Sequence, residues 1–377
     1  MSGTELIAVR VTSAGDRGAA AWAEGLRFKL PADLLSRMNC RVTASGDLSL
    51  NGNAAPVQDS DVAALRERAA FTDKPPASAR LPISYQRVPG SARAAIASVI
   101  GRWNRGRSDR WAAFPGWPLD LSADFLSDLD PGRKSKWPST HVPVVLTHDI
   151  DSPEGLTNLV SKFLPLEESA GATSTSYVVP CAWSVDEAMV REATGRGHDI
   201  GVHGYDHSNL TPFADATERR RRLDAALPFA KRHAGIGYRA PSLLRTRALL
   251  RDLAGRYHYD SSIPTSGGPF PVPNNGCATA RPFIVEGIRE LPLSMPRDGS
   301  LRFLGYSPDD IVKLWIECAE VIASSGGVVV LLTHCERRFS GDAPMFDAYR
   351  RFLEYIRGRG DRFTFKRATD VIDERAH

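Results

Sequence analysis

From about residue 142 to the end of the chain, short apolar runs rich in Val, Ile, Leu, Thr and Tyr alternate with stretches of helical periodicity. No other feature limits the fold as much, because a strand that recurs after a helix-length crossover returns to the sheet parallel to its predecessor. The runs lie at 143–148, 172–180, 198–203, 235–240, 257–263, 288–294 and 327–333. Helical patterns fall near 154–170, 184–195, 214–233, 245–254, 308–324 and 343–358, with one more strand–helix pair behind them. Seven or eight such units suit a closed parallel barrel better than an open sheet.

Residues 1–141 do not share this rhythm. They offer strand-like pieces at 5–11 and 40–50, turn signals at Ser45-Gly46-Asp47 and Asn51-Gly52-Asn53, a linker-like stretch at 73–78 and a helical segment at 91–103. An aromatic and Pro-rich passage follows at 110–118, and Trp103, Trp111, Trp117 and Trp137 crowd the approach to the first barrel strand. Those indoles are expected to pack against the barrel, with stacking on sugar rings as the alternative. The division is therefore an N-terminal extension over 1–141, expected to bear on substrate access, and a barrel over 142–377.

Composition removes several classes. With 42% apolar residues the chain can bury a large core, and a net charge of +4 over 377 residues is too mild to mark a nucleic-acid binder. The five cysteines lack the close pairing of a zinc knuckle or redox motif, so they read as reduced thiols. The N-terminus lacks the pattern of a signal peptide, and no run nears the roughly 18 apolar residues of a membrane span. The expectation is a soluble, cytoplasmic protein with no nucleic-acid partner. The basic run Arg219 to Arg222 reads as a solvated helix face.

Five pieces of chemistry sit at the carboxyl ends of successive strands, where barrel active sites are built. In Thr147-His148-Asp149-Ile150-Asp151, the two aspartates are two residues apart and face the same way in an extended chain; the plain alternative is an Asx turn opening a helix. His203 and His207 share a face if the chain turns helical there, the spacing of zinc-binding helices, with capping or core histidines as the alternative. Asp206 could orient a histidine or be solvated. Arg239 offers a guanidinium to a carboxylate, or is a surface arginine before Pro241. Tyr259-Asp260-Ser261-Ser262 is weak by itself, and His334 ends an apolar strand where an acid/base group is useful or a structural histidine is common.

In this order the pieces resemble the polysaccharide deacetylase superfamily, carbohydrate esterase family 4, across about residues 142 to 375. THDID resembles its first motif, HGYDH its second, YRAP its third, YDSS its fourth and LLTH its fifth. The resemblance implies an α/β fold, a distorted (β/α)7-type barrel behind a β-containing extension. It also implies one divalent metal, Zn²⁺ foremost, with Co²⁺, Mn²⁺, Ni²⁺ or Fe²⁺ as alternatives, held by Asp151, His203 and His207. Asp149 is then the base, Arg239 its partner, His334 the acid and Asp260 the partner of His334. The expected reaction is removal of an N-acetyl group from an N-acylated sugar, glycan or lipid-linked saccharide. Three departures stand out: an Asp-x-Asp first motif, Ser242 where an aromatic residue is usual, and a fourth motif without its Asp-Trp ending. A deformylase or other C–N hydrolase is the alternative. A non-catalytic saccharide-binding relative and a two-histidine, one-carboxylate Fe(II) oxygenase rank below it.

Overall fold

The computed structural model describes residues 5–13, 18–38, 40–50, 57–72, 74–76, 79, 90–105, 119–129, 141–235, 237–266 and 276–374. The Asn51-Gly52-Asn53 turn, the whole aromatic passage at 110–118 with Trp111 and Trp117, and Trp137 lie outside them.

The extension folds as a small sheet of β1 (Leu6–Ser13), β2 (Arg27–Pro31), β3 (Cys40–Val42) and β4 (Asp47–Leu50), in the order β2-β1-β4-β3. Gly46 adopts φ 83°, a conformation only glycine takes without strain, and so closes the β3–β4 hairpin. Alternate residues Val9, Val11, Phe28, Leu30, Leu48 and Leu50 are buried, as a sheet covered on one face requires. That face rests on the helix Ser122–Asp128, where the Phe28 and Phe125 rings stack at 4.9 Å.

The barrel comprises β5 (Val142–Ile150), β6 (Ser174–Val178), β7 (Asp199–Val202), β8 (Gly237–Tyr238), β9 (Tyr259–Asp260), β10 (Phe283–Val285), β11 (Ile288–Glu290), β12 (Val329–His334) and β13 (Phe363–Phe365). Its order is β10-β11-β9-β8-β7-β6-β5-β12, with β13 beside β5. Every pairing is parallel except the β10–β11 hairpin. Beyond β11 the chain leaves the regular ladder, yet Met295 N donates to Val330 O at 3.1 Å and ties it to β12. The sheet thus curls into a distorted (β/α) barrel, as the strand–helix alternation and the resemblance lead one to expect.

The long helix Pro308–Ser324 shows why the outer layer forms where it does. Ser307 caps it by accepting from Asp310 N, Pro308 occupies the first turn, and Ile311, Leu314, Trp315, Cys318 and Ile322 bury one stripe. Each such side chain contributes roughly 1.5–3 kcal/mol on burial, and the Trp315 indole N–H is satisfied by Pro296 O at 2.8 Å. The segment expected as one helix near 154–170 instead contains a π-helical turn, Leu159–Phe163, between Pro153–Asn158 and Leu164–Ser169. Pro165 has no N–H for the carbonyl four residues back, and the wider turn accommodates that loss.

Candidate functional site

Residues of odd number at the end of β5 point into the barrel. Thr147 accepts from Arg239 Nη1 at 2.9 Å and Asp149 Oδ1 from the same nitrogen at 3.1 Å. Asp151 continues the series, its Oδ1 3.6 Å from His203 Nε2 and 3.4 Å from His207 Nε2. His203 Nε2 also lies 3.5 Å from Asp149 Oδ2. On β12, His334 is the register partner of Asp149. The structure thus brings Asp149, Asp151, His203, His207, Arg239 and His334 to one end of the barrel.

His203 and His207 do not meet on a helix, as their spacing led one to expect. The chain runs through a non-helical loop in which Gly204 has φ 69° and His207 φ 56°, and this fold-back sets the two rings 5.1 Å apart. A Cβ on Gly204 would lie 2.5 Å from Pro241 Cδ, so the loop needs a glycine there for space as well as for conformation. Asp206 neither orients a histidine nor stands free in solvent. It accepts from Ser208 N at 3.0 Å and from Arg222 Nη1 at 3.3 Å, which closes the loop. The basic run is correspondingly more than a solvated face: Arg219 is buried against Asp252, and Arg222 anchors the histidine loop.

A three-ligand cluster fits a divalent ion here. One ligand atom from each of Asp151, His203 and His207 lies within 4.8 Å of the others, and Asp151 Oδ1 is buried without a hydrogen-bond partner. His203 Nδ1 donates to Arg239 O at 3.0 Å, which leaves the lone pair on Nε2 turned toward the cluster, the usual arrangement for a ligating histidine. Two imidazoles and one carboxylate suit Zn²⁺ and its first-row neighbours.

Burial acts on every charge in the site, and neighbouring charges decide the outcome. Burial drives Asp149 upward, but His203, Arg239 and His334 outweigh it and hold the carboxyl down at about 2. His203 is lowered to about 4, chiefly by burial, so it is neutral near pH 7. His334 runs the other way: burial lowers it, while the Asp298 charge and hydrogen bond prevail and lift it to about 9.

Asp298 is the first residue of the short helix Asp298–Phe303. It accepts from His334 Nδ1 at 2.8 Å, from His334 N at 2.7 Å and from Ser340 Oγ at 2.7 Å. The expected pairing of His334 with Asp260 is therefore corrected. Asp260 accepts from Ser262 Oγ at 2.6 Å and faces Glu290 of β11, which its register brings alongside. Ser262 Oγ in turn accepts from Ala240 N, so Asp260 acts on the backbone beside Arg239.

Glu336 is a second residue the motifs missed. Its Oε1 accepts from Asp151 N at 3.1 Å and Ser152 Oγ at 2.9 Å, and burial, reinforced by Asp151, raises it to about 7. Behind β5, His148 meets Glu167 at 2.7 Å and Thr333 at 2.9 Å, linking the strands that carry Asp149 and His334. Ser242, where an aromatic residue is usual, is half-buried with φ 54°. Trp103 is 67% exposed.

The strand ends of a distorted parallel barrel thus gather acids, histidines and an arginine in one place. Residues 138–249 match the family model for polysaccharide deacetylases. The matched stretch contains Asp149, Asp151, His203, His207 and Arg239 and ends before Asp298 and His334. No curated protein matches the sequence. Among solved structures, one from Mycobacterium smegmatis assigned to the polysaccharide deacetylases is 22% identical, covering 64% of this chain and 93% of its own at TM-score 0.51. Another so assigned, from Pseudomonas aeruginosa PAO1, is 15% identical, covering 69% and 99% at TM-score 0.51. Both likenesses concern the fold.

Proposed function

We propose that the protein hydrolyses an N-acyl group, acetyl foremost, from an amino sugar or glycan, with Asp149 as base and His334 as acid. A divalent ion held by Asp151, His203 and His207, when bound, supplies Lewis-acid polarisation of the amide carbonyl and makes water a nucleophile near neutral pH. Asp149 accepts the proton of the attacking water, and Arg239 holds that carboxylate ionised and aimed through Nη1. His334, kept protonated by Asp298, donates to the departing nitrogen as the C–N bond breaks, so a free amine and a carboxylate leave.

The observation that carries this reading is a pair of register neighbours, Asp149 and His334, driven in opposite directions to about 2 and about 9. Groups whose environments separate them in this way are suited to acid and base roles. We further read residues 1–141 as an extension docked on the barrel beside the site. Thr72 N donates to Arg245 O at 2.7 Å, and Arg245 Nε to Ala70 O at 2.5 Å, on the loop that follows Arg239.

The test is a screen for acetate and formate release over N-acyl sugars and saccharides, with parallel metal analysis, on the parent and Asp149→Asn. The variant should keep its metal and lose about 10²–10⁴-fold in rate. Near-parent turnover by Asp149→Asn would remove Asp149 from the mechanism.

A further inference from the structure

The helix Gly90–Arg105 packs against the helix Asp298–Phe303. Gly101 is buried, and a Cβ there would lie 2.2 Å from Phe303 O, so the helix backbone sits directly on the helix Asp298–Phe303 whose first residue holds His334. That six-residue helix is only about 8 Å long at about 1.5 Å per residue. The opposite side carries Ile96, Val99, Ile100 and Trp103, exposed by 58%, 69%, 39% and 67%.

At about 100° per residue these four positions fall within an arc of about 100°, and Gly101 lies across the helix from them. Among the described residues six large apolar side chains are exposed, and the other two, Ile7 and Ile284, stand apart in sequence and on other elements. Single exposed apolar residues need no explanation, but four in one stripe do. Charge identifies the partner. Residues 90–111 contain Arg93, Arg102, Arg105, Arg107 and Arg110 against Asp109 alone, a net +4 from five positive and one negative. The whole chain is also +4, so the rest of the sequence sums to neutral and the excess belongs to residues 90–111 of the sequence. Arg102 is exposed, one residue from Trp103.

An apolar stripe ending in tryptophan, beside the exposed Arg102 in an arginine-rich stretch of sequence and on a helix too short and polar to span a bilayer, is the pattern of a helix that lies in a membrane interface. We propose that the helix Gly90–Arg105 docks the protein on an anionic phospholipid surface, inserting Ile96, Val99, Ile100 and Trp103 at headgroup level. The docked helix carries the Asp298–His334 side of the barrel, so the site is held close to the bilayer. A saccharide substrate borne on lipid deepens the reading of the site given above and rests on it; the membrane contact itself does not.

The full chain is mixed with vesicles of phosphatidylcholine, with and without phosphatidylglycerol, and floated on a density gradient. The parent should float with the anionic vesicles and not the neutral ones, and should be released by high salt, which screens the arginines. Val99→Glu/Trp103→Glu, two exposed positions, should lower flotation by about tenfold or more with unchanged thermal unfolding and unchanged turnover of a small soluble N-acyl sugar. Parent protein that stays unbound, or a double variant that floats like the parent, would overturn the inference. So would light scattering that shows a dimer broken by the double variant, since the stripe would then be covered by a second copy. Flotation as described with no N-acyl hydrolysis by the parent would sink the enzymatic reading and leave the membrane contact standing.

Discussion

Replacing Asp298 by Asn isolates the group that keeps His334 charged. The substitution preserves shape and leaves one oxygen to accept from His334 N or Ser340 Oγ, but it removes the negative charge facing His334 Nδ1. In the parent, burial opposes protonation of His334 and Asp298 overcomes it, raising the ring from 6.5 to about 9. At about 1.4 kcal/mol per tenfold, that interval corresponds to roughly 3 kcal/mol in favour of the imidazolium. At pH 7 the parent ring is then roughly 99% protonated, and a ring returned to its ordinary value only roughly a quarter so. Burial, which lowers the ring, and the charges of Asp151 and Asp149, which raise it, remain after the Asp298 charge has gone, so Asp298→Asn should fall toward that ordinary value. Two measurements check it: the pH titration of the His334 ring proton by NMR, and the alkaline limb of the pH–rate profile, which should move down by about two pH units together with it. A ring that titrates within about half a pH unit of the parent value would refute the assignment of Asp298 as the group that sets His334.

His203→Ala/His207→Ala should abolish stoichiometric metal binding in elemental analysis, and unchanged metal content would place the ion elsewhere. Glu167→Ala leaves His148 and the Tyr349 hydroxyl without their buried acceptor; it should cost about 1–3 kcal/mol in denaturant unfolding, and an unchanged midpoint would show that this cluster adds nothing to stability. A chain begun near Pro75 loses the sheet that covers Phe125 and the carbonyl that accepts from Arg245. It should unfold at lower temperature than the full chain, and a shared midpoint would mean that the extension is not a brace.

The elements that were plain in the sequence are those whose information is local. A run such as 143–146 is apolar throughout because both faces of β5 are covered, and its continuation into Thr147-His148-Asp149-Ile150-Asp151 sends alternate side chains inward by strand geometry alone. Asp298 was not legible, because it lies 36 residues from His334 in a stretch, Pro296-Arg297-Asp298-Gly299, that reads as a loop between a strand and a long helix. Its one local sign is an acidic residue at the start of a short helix, a common feature with no pointer to its partner. Asp260 carried the recognisable motif, yet its strand register sets it against Glu290, and register is a property of the assembled sheet. The histidine pair came together through two left-handed backbone positions instead of a helical turn, and spacing alone does not separate those two routes.

The opposed charges at the barrel mouth also set limits on when the site can work and stand. Asp149 is lowered to about 2, so its contribution to stability is present above 3.8 and is lost as the pH falls through about 2. His334 is raised to about 9, so its contribution is full below 6.5 and is lost as the pH rises through about 9. Between those edges Asp149 is ionised and His334 protonated together, the states that the proposed base and acid roles require. The arrangement has a cost in basicity, because a carboxylate held at about 2 is a weak acceptor. In the proposed reaction it would take a proton from a water already made more acidic, which is the chemistry a cation at Asp151, His203 and His207 would supply. On the proposed mechanism the depressed aspartate and the three-ligand cluster therefore belong together: either alone would leave a base too weak for bulk water or an ion with no group to receive the proton.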